Sequence, residues 1–260
     1  MAEEVKGRFV WYELMTTEPG AAEAFYAKVC GWGSAPYEVG DQPYTVWMNG
    51  EASLGGLMRL PDEAVAAGAP PHWLGYVATD DVDATVEQAK GMGAGVLMGP
   101  MDVPEVGRLA VLRDPQGAVF AVYRPAGEAP GHAPPAEMGE VSWHELHTEG
   151  WEQAWDFYAT LFGWTKTEAM DMGDMGTYQM FATGPDGVTV GGMFDKMPEV
   201  PVCHWLFYVQ VPDLEAALAA VNEGGGRVLN GPMEVPGGDR VAHCVDPQGA
   251  VFALHSPASA

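Results

Sequence analysis

The sequence predicts an α+β protein of two tandem modules, each made of two βαβββ units. Three observations predict it. The chain repeats itself: residues 10–32, VWYELMTTEPGAAEAFYAKVCGW, recur as residues 142–164, SWHELHTEGWEQAWDFYATLFGW, at an offset of 132 without a gap, and the same offset carries His72–Pro125 onto His204–Pro257. A repeat of that length at a fixed period means duplicated structure. Each copy opens on an apolar alternation of period two that passes into an apolar stripe of helical period. Short β-rich runs punctuated by Gly, Asp and Asn then follow in both copies.

Taken in order, residues 1–7 read as a tail. The first strand covers Phe9–Thr16, where Val10, Tyr12 and Leu14 alternate with Trp11, Glu13 and Met15. Thr17 offers an N-cap oxygen and Pro19 suits a first helical turn, where no amide donor is needed. Ala22, Phe25, Tyr26 and Val29 make one apolar face, repeated by Ala154, Phe157, Tyr158 and Leu161, and Gly31 and Gly163 end the helices. Three strands follow, near Ser34–Val39, Tyr44–Met48 and Ala52–Met58, with a turn at Gly40-Asp41; their counterparts are Thr165–Met170, Tyr178–Ala182 and Val188–Phe194. The pairs Gly55-Gly56 and Gly191-Gly192 fall inside strands, which points to a bulge or a close backbone approach and not to a phosphate loop, since no helix follows them. A proline-rich connection at Pro61–Pro71 leads to the strand His72–Ala78. A helix from Val82 ends at the glycines 91 and 93, and strands near Val96–Met98, Arg108–Leu112 and Ala118–Tyr123 complete the half. Asp114-Pro115-Gln116-Gly117, which returns as Asp246-Pro247-Gln248-Gly249, reads as a hairpin device. The boundaries are therefore a first module over 8–125, a Pro/Gly/Ala-rich linker over 126–138 containing a solvated His132, and a second module over 139–258.

Composition narrows the function classes. A hydrophobic fraction of 47% over 260 residues is ample for packed cores. No apolar run approaches the ~20 residues that cross a bilayer, and the start MAEEVKGRFVWYEL has acids where a signal peptide has bases, so the expected location is cytoplasmic. Twelve Lys and Arg against 36 Asp and Glu give a net charge of −24, which argues against nucleic acid and anionic membrane as partners. The 3 cysteines, Cys30, Cys203 and Cys244, are far apart and read as buried, reduced thiols.

Paired βαβββ units in this chain order resemble the vicinal oxygen chelate superfamily, which includes glyoxalase I, the bleomycin and fosfomycin resistance proteins and the extradiol dioxygenases. The resemblance is carried by the opening strand before A-x-x-F-Y-x-x-x-x-G-W, by H-W-L-x-Y-V at His72 and His204, and by the closing D-P-Q-G-A-V-F-A at Asp114 and Asp246. The two-module form beginning W-x-E-L is similar to the bacterial Cfp30B-type glyoxalase-like proteins. The resemblance implies that each pair of units curls its sheet into a cup with helices outside, and that a divalent metal, where present, is held inside by side chains of the first, fifth and eighth strands. Carried over residue by residue, the first-strand histidine falls on Trp11 and Trp143. The fifth-strand histidine is retained as His72 and His204, and the eighth-strand glutamate falls on Ala121 and Ala253. One ligand of three remains in each cup, so the resemblance implies that the usual metal and cofactor are absent.

Period two then assigns the cup faces. The first shows Trp11, Glu13, Met15, His72, Tyr76 and Tyr123 beside Ala121; the second shows Trp143, Glu145, His147, His204, Tyr208 and His255 beside Ala253. Aromatic walls with a few polar heads suit a small organic ligand, with Glu145 or Glu13 as the base of any reaction. Two further readings stay open. Glu145, His147, His204 and His255 compose a possible relocated metal set for a lyase or dioxygenase, or the cups are merely packed and the protein is an interaction scaffold. Several bland roles compete. His72 and His204 tie down strand starts, Glu13 and Glu145 pair with Arg108, Arg240 or each other, and His144 is a satisfied core histidine. Since fused modules can supply each other's pairing surface, a monomer or a homodimer is expected.

Overall fold

The structure, a computed structural model, describes residues 5–39, 42–130, 134–183 and 187–258. The Gly40-Asp41 turn and His132 lie outside them. The first half runs β1 (Phe9–Thr16), α1 (Pro19–Cys30), β2 (Gly33–Val39), β3 (Gln42–Asn49), β4 (Ala52–Arg59), α2 (Asp62–Ala66), β5 (His72–Ala78), α3 (Val82–Gly91), β6 (Gly95–Val103), β7 (Gly107–Arg113) and β8 (Val119–Pro125). The second runs β9 (Val141–Thr148), α4 (Trp151–Phe162), β10 (Thr165–Asp171), β11 (Thr177–Ala182), β12 (Thr189–Asp195), β13 (His204–Gln210), α5 (Leu214–Glu223), β14 (Arg227–Glu234), β15 (Arg240–Val245) and β16 (Val251–Ser256). These form two eight-stranded mixed sheets of matching order, β2-β3-β4-β1-β5-β8-β7-β6 and β10-β11-β12-β9-β13-β16-β15-β14. The chain is thus an α+β protein of tandem βαβββ pairs. Among the described residues no helix is long and apolar enough to cross a membrane.

The compact units do not follow the sheets. One gathers the described residues of Met1–Trp11, Leu74–Pro130 and Trp143–Trp205, the other those of Tyr12–Trp73, Gly131–Ser142 and Leu206–Ala260. Each unit therefore combines a leading βαβββ stretch of one module with the trailing stretch of the other. In the second unit, Ala22, Phe25, Tyr26 and Val29 of α1 share a core with Leu214, Ala217, Leu218 and Val221 of α5. In the first, Phe120 of β8 packs edge-on against Phe157, Tyr158 and Phe162 of α4. Each such ring or branched side chain contributes about 1.5–3 kcal/mol by leaving water.

Local chemistry explains most element ends. Asp81 and Asp213 cap α3 and α5 by accepting from the amides of Ala84 and Ala216, both at 3.0 Å. Gly31 and Gly163, at φ 74° and 73°, close α1 and α4. The expected Thr17 cap is not made: Glu18 precedes Pro19, and its carbonyl accepts from the amides of Ala21 and Ala22. The connection after Pro61 contains the short α2, and Cys30 is half-buried where Cys203 and Cys244 are buried.

The Asp-Pro-Gln-Gly turns are built around their aspartates. Asp114 Oδ1 accepts from the amides of Gln116, Gly117 and Ala118 at 3.0, 2.7 and 2.8 Å, and Oδ2 accepts from the Tyr158 hydroxyl at 2.9 Å. That hydroxyl in turn accepts from Trp205 Nε1 at 3.1 Å. The other unit repeats the design with Asp246, Tyr26 and Trp73. Burial pushes both carboxyls above the ordinary range against the pull of these donors, and raises both tyrosines well above theirs.

His144 is a core residue. Its ring stacks on Phe9 at 4.3 Å, Nδ1 donates to the Val190 carbonyl at 2.7 Å, and burial pushes its pKa down to about 4. The folded protein therefore binds fewer protons than the unfolded chain between pH 6.5 and 4. Stability contributed by the neutral ring is complete above that window and falls as pH drops through it, by about 3 kcal/mol. Urea unfolding at pH 7 and pH 4.5 should show a smaller loss in His144→Gln than in the native protein.

Candidate functional site

The strand β9 presents Trp143, Glu145 and His147 at spacing two, on the face opposite His144. Glu145 is 7% exposed, and His147 and Tyr178 are among its partners. His147 Nε2 donates to Oε1 at 2.8 Å, and the Tyr178 hydroxyl donates to Oε2 at 2.9 Å. Trp143 Nε1 donates to the Tyr178 hydroxyl at 2.7 Å. Indole can only donate and carboxylate can only accept, so the polarity of this chain is set from Trp143 through Tyr178 to Glu145. Burial and the adjacent Glu145 charge hold Tyr178 well above an ordinary phenol, so it stays a donor at neutral pH.

Aromatic rings pack against these two partners of Glu145. Phe194 meets His147 edge-on at 4.7 Å and lies 5.5 Å from Tyr178. His204 stacks on His147 at 4.7 Å with 19° between the planes. Its Nδ1 is 3.1 Å from the Val202 carbonyl, which can only accept, so Nδ1 carries the proton and Nε2 the lone pair of the neutral ring. His204 thus ties down the start of β13 and lines the site as well.

The glycine pair in β12 makes the arrangement possible. Gly191 and Gly192 stand opposite His144 and Glu145 in the parallel pairing of β12 with β9. A Cβ on Gly191 would collide with the His144 carbonyl, and one on Gly192 with the ring of Tyr178. The absent side chain of Gly192 is the place where Tyr178 lies, which lets its hydroxyl reach Glu145. In the first module Gly56 stands opposite Glu13 and leaves room for Tyr44 in the same way. Reasoning from sequence missed Tyr178, Tyr44 and Phe194; the Gly-Gly pairs are the mark that could have found them.

The remaining candidates are dispersed. Glu13 is buried at 5% exposure, and Met15 pairs in register with Met58 where the second module has His147 and Phe194. Trp11 is half-buried on β1. His72 Nδ1 donates to the Pro70 carbonyl at 2.7 Å, tying down β5. Tyr76 meets Tyr123 edge-on at 6.1 Å, and the Tyr123 hydroxyl donates to the Val106 carbonyl at 2.8 Å. Tyr208 and Ala253 are partners in register, and across that small residue the Tyr208 hydroxyl lies 2.8 Å from His243 Nε2. His255 bonds Ser142 through Nδ1 and Asp239 through Nε2, and belongs to the other compact unit from Glu145, His147 and His204. Arg108 is bound to Asp83 and Asp102, and Arg240 to Glu215, so neither arginine has the glutamate partner considered from sequence.

Trp143 and Ala253 occupy two of the three positions where the resemblance places ligands. His147 Nε2 is committed to Glu145. Among the described residues no group of three or more His, Cys, Asp or Glu side chains could hold a metal.

Residues 143–254 match the family model of the glyoxalase/bleomycin resistance protein/dioxygenase superfamily, and residues 11–123 match that of a glyoxalase-like domain. The chain is 35% identical over 251 residues to the putative glyoxylase CFP32 of Mycobacterium bovis, covering 95% of this chain and 94% of that one. It is 31% identical over 265 residues to the anthracycline biosynthesis protein DnrV of Streptomyces peucetius, covering 98% and 94%. Among solved structures, the Mn(II)-bound glyoxalase from Novosphingobium aromaticivorans superimposes with a TM-score of 0.62 at 18% identity, covering 98% of this chain and 83% of that one. The 2,3-dioxygenase LapB from Pseudomonas sp. KL28 gives 0.66 at 12% identity, covering 98% and 94%. At those identities the structural likeness shows a shared fold.

Proposed function

Because this chain belongs to the glyoxalase/bleomycin resistance protein/dioxygenase superfamily, we propose that it binds a small, partly aromatic organic molecule at Glu145 without the superfamily's metal. The observation that carries the reading is the Glu145 carboxylate, oriented through both oxygens by Tyr178 and His147 among the rings of Trp143, Phe194 and His204. A carboxylate only accepts, so the ligand would meet Glu145 with an N–H or O–H donor. The rings offer stacking area for an aromatic body. Any proton abstraction at this site falls to Glu145, with His147 and Tyr178 stabilising its charged form. The likeness to DnrV, named for anthracycline biosynthesis, supports a fused-ring aromatic as the ligand class.

Titration of hydroxyanthraquinones against tryptophan fluorescence tests this. Glu145→Gln should weaken binding about 10- to 100-fold, a loss of roughly 1.4–2.8 kcal/mol, and prior dialysis against a chelator should leave the native affinity unchanged. Affinity lost on chelation and restored by manganese or iron would favour a metal-dependent lyase or dioxygenase instead. No binding by native protein would favour the scaffold reading.

A further inference from the structure

Ser142, His255 and Asp239 stand in a line that the Glu145 site does not use. His255 Nδ1 is 2.8 Å from Ser142 Oγ, and His255 Nε2 is 2.9 Å from Asp239 Oδ2. Asp239 is fixed by a second bond, its Oδ1 accepting from the Ala258 amide at 2.8 Å. That amide, and then the His255 ring, hold its carboxyl below the ordinary range, so it is ionised at neutral pH. An ionised carboxylate can only accept, which places a proton on Nε2 and leaves the Nδ1 lone pair of the neutral ring facing the serine hydroxyl. The other contact of Ser142 Oγ, with the Tyr208 carbonyl, is longer at 3.3 Å. Ser142 and His255 are half-buried, and the Asp239 side chain is 39% exposed, so the group is reached from solvent. A nucleophile bonded to a base, and the base to an orienting carboxylate, is the geometry of an activated hydroxyl, here with the two ring nitrogens in exchanged roles.

We propose that Ser142, His255 and Asp239 form a nucleophilic centre that accepts acyl groups from activated aryl esters. Ser142 Oγ bonds to the ester carbonyl carbon while its proton passes to His255 Nδ1. The carbon–oxygen bond to the phenol then breaks, and the phenolate leaves with that proton. Water then attacks the acyl-serine while giving a proton to the same nitrogen, the bond from the acyl carbon to Ser142 Oγ breaks, and Oγ takes that proton back as the acid leaves, so ester and water become acid and phenol. Asp239 is a positioning residue, holding the ring tautomer. The nearby amides of Gly139, Gln210 and Val211 already donate to the carbonyls of Gln210, Glu140 and His255. They give a developing oxyanion no help, and the loss of even one such donor costs on the order of 100-fold or more in rate. Both steps are slowed alike, but a phenolate leaves far more readily than a serine alkoxide, so acylation should outrun turnover.

The full-length protein treated with a fluorophosphonate probe and digested for mass spectrometry should carry one adduct, on Ser142. With p-nitrophenyl acetate it should release about one equivalent of phenol in a burst, followed by a slow phase. Ser142→Ala should remove adduct and burst while leaving the melting temperature within a few degrees. His255→Gln and Asp239→Asn should slow labelling, the former by on the order of 100-fold. An unlabelled Ser142 in native protein would overturn the proposal, since it needs no variant to fold. So would labelling at the same rate in either folded variant, which would leave these bonds as ties of the C-terminal strand.

Discussion

Asp114→Ala should lower stability by about 3–5 kcal/mol, the largest single-residue effect expected outside the aromatic cores. Four donors lose their acceptor at once: the amides of Gln116, Gly117 and Ala118 and the hydroxyl of Tyr158. The site is 3% exposed, so water does not replace the lost oxygens. A drop in melting temperature of roughly 10 °C follows for a chain of this size. Asp114→Asn keeps one acceptor oxygen and should cost less than half as much. The comparison separates the turn from its tie to α4, because Tyr158→Phe keeps the three turn amides satisfied and removes that tie together with the acceptor of Trp205 Nε1. Thermal melts of the three variants check the order Asp114→Ala, then Asp114→Asn and Tyr158→Phe, then native. A melting temperature for Asp114→Ala equal to that of the native protein would show that the turn closes without its carboxylate.

Gly191→Ala should cost about 3 kcal/mol or more. The added methyl points at the His144 carbonyl and lies 2.7 Å from the ring of Phe181, and the first of these is backbone in the partner strand of a parallel pair. No rotamer change relieves it, so β9 and β12 must separate. Gly192→Ala makes a different collision, with the Tyr178 ring, which can swing away. Its stability loss should be smaller and its ligand-binding loss as large as that of Glu145→Gln, because Tyr178 leaves the carboxylate. Pairing Gly192→Ala with Tyr178→Ala should recover stability and not binding. Urea unfolding beside a ligand titration measures both arms, and equal stability losses at 191 and 192 would sink the distinction.

Local periodicity made the scaffold legible. The alternation in Phe9–Thr16, the stripe of Ala22, Phe25, Tyr26 and Val29 and the closing glycines are each decided by residues within a few positions, and these elements formed as expected. Gly-Gly inside a strand announced a close backbone approach, and Tyr12 and His144 carbonyls fill that space. What stayed hidden depends on strand order. Tyr178 reaches Glu145 from β11 across a glycine of β12, and Tyr208 reaches His243 across Ala253, two contacts that no spacing along the chain contains. The repeat also slips between its second and third strands, so Tyr44 and Tyr178 do not share the offset of 132 that aligned Trp11 with Trp143. Period two puts His255 on one face with His147, whereas its bonds go to Ser142 and Asp239.

Each hydroxyl of Tyr26 and Tyr158 is anchored on an aspartate from the opposite half of the chain, and each compact unit is assembled from both halves. Gene duplication has here produced two segments that cannot drift separately. A chimera joining residues 1–130 of this protein to the corresponding later segment of a 35%-identical relative must match helix faces and turn carboxylates across the join. Expressed alone, either half would leave the inward faces of its two long helices without their counterparts, and would be recovered paired with another half or not folded at all.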